Sequence, residues 1–310
     1  MALRTRWLIF IPLFIVVGLT GLYWAPNTDA QTEIIIDSPL QPLLGWVMAE
    51  DGSLFVIDAT HSIYHLEAKT VKPLAKSAPL IPAIGTPENR FSLALDGERL
   101  FIGGGTLTQT LVLQKDTFEP LASLGQSSSL AIDPGKSLFV VAKTPVANLS
   151  YEFIRDGVWV YDLKNLAQAP TNIREPTMSD TPVWVTVAPA SRRLYIDMFN
   201  TPGTSPRNSR SISRYDLDTS TYLDSLYDNS YGFAFLSTPA VADQGDRLFA
   251  MTRYSNGQQQ LLVFDKQAQL QETVASIAGQ TITDDKGEWL YILHNQGLRV
   301  LRGDNLSIQT

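Results

Sequence analysis

Asp96-Gly-Glu-Arg-Leu-Phe-Ile102 states in seven residues a phrase that this chain repeats along its length. The other copies read Asp51-Gly-Ser-Leu-Phe-Val56, Asp133-Pro-Gly-Lys-Ser-Leu-Phe-Val140, Pro189-Ala-Ser-Arg-Arg-Leu-Tyr-Ile196, Asp243-Gln-Gly-Asp-Arg-Leu-Phe-Ala250 and Asp285-Lys-Gly-Glu-Trp-Leu-Tyr-Ile292. Asp and Gly close together make a tight turn, since Gly accepts positive φ and Asp caps its own turn. The Leu-aromatic-aliphatic run that follows is a strand. The phrase leucines are Leu54, Leu100, Leu138, Leu194, Leu248 and Leu290.

A second strand follows each phrase: Ser62–Leu66, Thr110–Leu113, Val158–Asp162, Ile212–Asp216, Leu261–Asp265 and Leu298–Leu301. A further one closes the unit, as in Val71–Leu74, Phe118–Leu124, Thr221–Leu226 and Glu272–Ile277. Each unit therefore reads as four short strands A, B, C and D, with no sustained helical period. Units of roughly 40–50 residues with four strands each, repeated radially, are the signature of a β-propeller. The expected fold is all-β, six four-stranded blades over residues 31–310. A sandwich or solenoid does not predict six copies of one phrase. Glu33-Ile-Ile-Ile-Asp37 is expected to complete the blade that residues 281–310 begin, with Ser307–Thr310 as a short last strand. That joins the chain ends and leaves no open sheet edge.

Composition bounds the chemistry. The chain has 310 residues, 44% hydrophobic content, no cysteine and three histidines. It therefore has no disulfide, thiolate ligand or cysteine nucleophile, and a multi-histidine zinc site is nearly excluded. A net charge of −7, with 24 Lys+Arg against 31 Asp+Glu, argues against a nucleic-acid partner.

Residues 1–30 carry an address. Arg4 and Arg6 precede Trp7–Trp24, eighteen residues without charge. As a helix this run is roughly 27 Å long, close to the hydrocarbon thickness of a bilayer. No further Lys or Arg occurs before Lys69, so the positive-inside rule places the N-terminus in the cytoplasm and the remainder outside. An uncleaved anchor accounts for the length, with Trp7, Tyr23 and Trp24 at the two interfaces. A cleaved signal peptide ending at Thr28-Asp29-Ala30 is the competing reading. Only Pro26–Gln31 separates the run from the first strand, so an anchored disc would lie close to the bilayer.

Leu93–Ile102 followed by Leu111-Val-Leu-Gln-Lys-Asp-Thr117 resembles the repeats of the YVTN and NHL propeller superfamily. Asp51–Asp58 with Ser62–Leu66 is also similar to six-bladed propellers of the gluconolactonase type. These phrases specify packing, so the resemblance implies fold more than function. In such propellers the D–A and B–C loops line the face that binds ligands and partners. The expected B–C loops are Asp58–Ser62, Gly103–Gln109, Ala142–Gly157, Asp197–Ser211, Thr252–Gln260 and His294–Gly297. Two are long and neighbouring. One carries Asn148, Tyr151, Phe153 and Arg155, the other Asn200, Arg207 and Arg210. Aromatic and Arg side chains anchor interfaces, so these seven residues are the expected partner-binding patch; tolerated insertion is the bland alternative.

The gluconolactonase resemblance implies a hard divalent cation held by Glu with Asn or Asp, for which Glu33, Asp58, Asp197 and Asn200 are the oxygen donors. The Glu-Gly-Pro that opens such domains reads Gln41-Pro42 here, so no metal or other cofactor is assigned. His61 and His65 read as structural histidines on a turn and strand. His294 is the isolated candidate for acid–base work but lacks an orienting partner. Gly103-Gly-Gly105 reads as a flexible turn, not a phosphate loop. Asn148-Leu-Ser150 and Asn305-Leu-Ser307 match the glycosylation triplet. The tryptophans 46, 159, 184 and 289 do not recur at one position, unlike a quinoprotein propeller. The expected function is a membrane-anchored, extracytoplasmic, non-enzymatic module that binds other proteins, such as an accessory subunit of an integral membrane complex. A secreted or periplasmic metal-dependent lactonase or esterase, or a small-molecule sensor, remains the alternative.

Overall fold

The computed structural model describes residues 33–34, 43–67, 73–79, 91–105, 107–145, 154–174, 180–200, 210–226, 234–235, 240–242, 247–253, 259–265, 269–275, 280–283, 289–294 and 297–302. The backbone divides into residues 1–33 and 34–310. The apolar run with Trp7, Tyr23 and Trp24 lies outside the described residues, as does Ser307–Thr310. Among the described residues no helix is long and apolar enough to cross a membrane.

The described strands form six antiparallel sheets, five of four strands and one of five. Sheet I comprises Leu43–Met48, Leu54–Asp58, Ile63–Leu66 and Pro73–Lys76. Sheet II comprises Phe91–Asp96, Arg99–Gly104, Thr110–Gln114 and Pro120–Leu124. Sheet III has Ser127–Asp133, Ser137–Pro145, Ile154–Asp162 and Thr171–Arg174, and sheet IV has Asp180–Ala188, Arg193–Asn200, Arg210–Asp216 and Tyr222–Leu226. In sheet V the A position is split into Ala234–Phe235 and Ala240–Ala242, both paired with Arg247–Arg253; Gln259–Asp265 and Leu270–Ala275 follow. Sheet VI takes Gln280–Thr283, Trp289–His294 and Gly297–Arg302 from the C-terminal end, and its outer strand is Glu33–Ile34 from the other end of the chain. In sheets I to IV each repeated phrase spans the A–B turn and enters strand B, and in sheets V and VI its Leu-aromatic-aliphatic run lies in strand B.

The Leu-aromatic-aliphatic run explains how the sheets assemble. Successive side chains on a strand point to opposite faces. In sheet II, Leu100 and Ile102 pack against sheet I beside Phe55 and Ile57, while Phe101 packs against sheet III beside Leu138 and Val140. Sheet III repeats the scheme: Leu138 and Val140 face back, and Phe139 joins Leu194 and Ile196 of sheet IV. Tyr195 then packs with Leu248 and Ala250 of sheet V, and Phe249 with Leu290 and Ile292 of sheet VI. The circle closes where Tyr291 and Ile282 of sheet VI pack against Trp46, Leu54 and Val56 of sheet I. Six interfaces in cyclic order make the fold a closed β-propeller. At every interface the aromatic residue enters the following sheet and the Leu and aliphatic residues receive the preceding one. Phe55, Phe101, Phe139 and Phe249 are among the largest fully buried side chains.

Polar groups stitch neighbouring sheets at two levels. Ser92 Oγ on strand A of sheet II accepts from Leu130 N of sheet III at 2.9 Å, and Ser129 Oγ accepts from Val185 N of sheet IV at 3.1 Å. The corresponding residue of sheet I, paired opposite Ile57, is Gly45. A Cβ there would lie 2.5 Å from the Phe91 carbonyl oxygen and 2.9 Å from Leu93 Cδ1. Gly103 is likewise a packing residue, with its Cβ position 2.0 Å from Ser127 Oγ. The reading of Gly103 as part of a flexible turn is corrected: it lies in strand Arg99–Gly104, where sheet III leaves no room for a side chain.

The turn aspartates work outward as well as locally. Asp51 caps its own turn by accepting from Ser53 N at 2.8 Å, as the phrase implied. Asp96 instead accepts from Gly135 N of sheet III at 2.9 Å, and it pairs with Arg99, which also donates to Leu163 O of sheet III at 2.9 Å. Asp133 receives both terminal nitrogens of Arg192 from sheet IV, at 3.1 and 3.0 Å. Arg192 sits at φ 54 in its turn and also holds Asp218, whose carboxyl is kept below its ordinary value by that hydrogen bond. A bidentate guanidinium–carboxylate pair fixes orientation as well as distance, so the turns of sheets II, III and IV are tied into one face.

Candidate functional site

The two hairpins of each sheet put A–B and B–C connections at opposite ends of strand B, so the propeller offers two turn faces. On the B–C side the expected long loops are shorter than anticipated. Strand pairing runs without a break from Ser137↔Asp162 to Pro145↔Ile154, so Arg155 is a strand residue opposite Thr144. In sheet IV, Asn200 and Arg210 lie at adjoining strand ends; Asn200 pairs with Asp180 and Arg210 with Phe199. The reason is physical: strand pairs extend as long as ladder hydrogen bonds can form, and polar composition does not end them. Asn148, Tyr151, Phe153 and Arg207 lie outside the described residues.

Of the expected oxygen donors, Asp58 and Asp197 lie on different sheets. Asp58 is buried in sheet I, and its Oδ1 accepts from Thr60 N at 2.9 Å, Thr60 Oγ1 at 2.6 Å and Ser62 N at 3.3 Å. Its carboxylate is thus engaged in building its own B–C turn. Asp197 is buried three sheets away, paired opposite Trp184 and Ile212. Glu33 and Asn200 belong to the strands already given. Among the described residues no three His, Cys, Asp or Glu side chains come together as a metal site would need.

The histidines differ from one another. His61 sits in the Asp58 turn at φ 58, buried, edge-on to the Phe91 ring at 5.6 Å. Its Nδ1 is buried without a hydrogen-bond partner, so it is not the fully satisfied residue expected. Positive φ at a non-glycine residue is held only by its surroundings. His294 ends its strand opposite Gly297. His65 stacks on Phe55 at 4.2 Å and 14°, and its Nε2 lies 3.0 Å from Ser53 Oγ. Burial holds it below its ordinary value, so at neutral pH the ring is uncharged.

His65 and Phe55 form one wall of a recess of about 660 Å³ on the A–B side. Turns of sheets I, II, III and IV converge on it, through Glu50 and Asp51, Gly97 and Glu98, Pro134, and Pro189 and Ala190. The C–D turn of sheet II adds Lys115 and Asp116, and Met48 and Leu95 contribute apolar surface. Lys115 lies 3.9 Å from Glu98, which neutralises that pair. Glu50, Asp51 and Asp116 have no cationic side chain at ion-pair distance among the described residues. Hydrogen bonds from Ser53 keep the Asp51 carboxyl below its ordinary value, so it is ionised at neutral pH. Ser53, His65 and Asp51 are thus close, but the carboxylate bonds the serine and not the second ring nitrogen. That is not the order of an acyl-transfer triad. Sequence spacing does not mark the recess, because short turns of four different sheets line it. The signal available was charge, since Glu50-Asp51, Glu98 and Lys115-Asp116 all fall in turns at one end of the first two units.

No protein-family model matches the sequence, and a search of curated proteins finds no match. Comparison of the fold with solved structures does find likenesses. The crystal structure of the RRP9 WD40 repeats aligns with 87% of this chain and 96% of its own, at 11% identity and a TM-score of 0.56. The structure of U3-55K aligns with 87% of this chain and 98% of its own, at 12% identity and a TM-score of 0.55. These likenesses establish the propeller fold. They do not single out the YVTN and NHL repeats suggested by the phrases.

Proposed function

We propose that this chain is a protein-binding scaffold: a propeller held at the extracytoplasmic surface of a membrane by residues 7–24, serving as an accessory subunit of an integral membrane complex. The observation that carries the reading is the recess. A rigid ring brings turns of four sheets into one charged concavity with an apolar interior, and such a surface suits another protein better than a single small ion. The uncharged run Trp7–Trp24 and the arginines before it support the anchor and its orientation. An anchor confines the search for a membrane partner to two dimensions and raises effective concentration. The hydrolase alternative draws no support from Asp58, whose carboxylate is committed to its own turn.

Extraction of the protein from its native membranes in mild detergent, with mass spectrometry of its N-terminus and companions, tests this. An intact leader together with stoichiometric protein companions is the expected result. A chain beginning near Gln31 and running alone would overturn both the anchor and the scaffold.

A further inference from the structure

We infer that the A–B recess receives a basic segment of the partner protein, with an arginine or lysine side chain inserted between Glu50, Asp51 and Asp116. The inference rests on the scaffold reading and specifies the partner's chemistry and the face it uses. Among the described residues these three carboxylates have no cation at ion-pair distance, while Lys115 is already matched by Glu98. An acidic segment would meet these carboxylates without compensation, and like-charge contact selects against it. A bare metal ion is also disfavoured, because no three acidic or histidine side chains among the described residues come together closely enough to hold one. What fits spread negative charge above apolar surface is a long amphipathic cation. The aliphatic stem of Lys or Arg lies along Met48 and Leu95 while its head reaches the rim. The neutral His65 ring, backed by Phe55, adds no positive charge at this wall. The cavity of about 660 Å³ has room for more than one side chain, so a short extended segment is accommodated.

The test is fluorescence anisotropy of the full-length protein in detergent, with a labelled short peptide alternating arginine and glycine, beside a glutamate–glycine peptide. The variant is Glu50→Lys with Asp116→Lys. Both positions are exposed, and Asp51 is left in place because it caps its own turn. The wild type should bind the arginine peptide, less tightly as salt rises, and not the glutamate peptide. The double variant should bind about tenfold or more weakly, a loss of about 1.4 kcal/mol, with its thermal unfolding unchanged. If the lysine variant fails to fold, Glu50→Gln with Asp116→Asn removes the same charge at equal volume and should give a smaller loss. Equal arginine-peptide binding by wild type and folded variant overturns the inference, as does preference for the glutamate peptide. Companions retained equally by wild type and variant from native membranes would sink the recess but leave the scaffold standing. Loss of companions from the variant alone supports both.

Discussion

Phe249→Ala should destabilise the propeller by about 3–5 kcal/mol, the usual cost of emptying a buried phenylalanine site. Phe249 is fully buried and is the aromatic member of its phrase, packed with Met251 and Leu261 of its own sheet and with Leu290, Ile292 and Leu301 of the next. The shape of the transition is as informative as its position. In an open array a lesion near one end loosens mainly the repeats beyond it, since stability there is a sum of nearest-neighbour terms. In a closed ring both neighbours of every sheet are themselves held. Denaturant unfolding of the variant, followed by fluorescence and circular dichroism, should therefore shift as one transition with the two signals coincident. A separate early phase, with the rest of the chain unchanged, would contradict closure through sheet VI.

Gly45→Ala should cost about 2–3 kcal/mol, typical of forcing a methyl group into a filled site. Elsewhere in a strand the same change would stabilise slightly, because alanine loses less backbone entropy than glycine. Here the added Cβ would sit 2.5 Å from the carbonyl oxygen of Phe91. That atom belongs to the backbone of the neighbouring inner strand, so relief requires separating sheets I and II. Gly97→Ala offers a contrast: no atom lies within 4 Å of its Cβ position, but its φ is +56, so its cost is local strain only and should be smaller. Melting temperatures of the two variants decide between these origins. A harmless Gly45→Ala would mean that the inner strands are not packed as closely as described.

The periodic parts of the fold were legible because their signals are local. A turn rich in Asp and Gly and the three residues after it lie within one hairpin, so Asp96–Ile102 can be read without knowing its neighbours. What joins the sheets could not be read that way. Ser92 meets Leu130, Ser129 meets Val185 and Asp133 meets Arg192 only after several strands have been placed. The alternation that sends Leu100 one way and Phe101 the other is visible in sequence, but the sheet on each side is not. Loop composition misled at Arg155, Asn200 and Arg210, where polar residues continue the ladders. The expectation for His61 missed the positive φ and the buried ring nitrogen, because neither has a mark in a single sequence. The recess was hidden for a related reason. Its carboxylates come from turns of sheets I and II, and only the packing of those two sheets sets them around one opening.

Site-specific photo-crosslinking in the native membrane tests the central claim most directly. A photoreactive residue is placed singly at Glu98 and at Thr117, on the A–B side, and at Asn148 and Arg207, two residues of the partner-binding patch expected from sequence. A discrete adduct to one protein partner is expected from Glu98 or Thr117, stronger than from Asn148 or Arg207. Adducts from Asn148 or Arg207 alone would assign partner binding to that patch and remove the recess from it. No protein adduct from any of the four positions, with the protein folded and at its normal level, would contradict the scaffold itself.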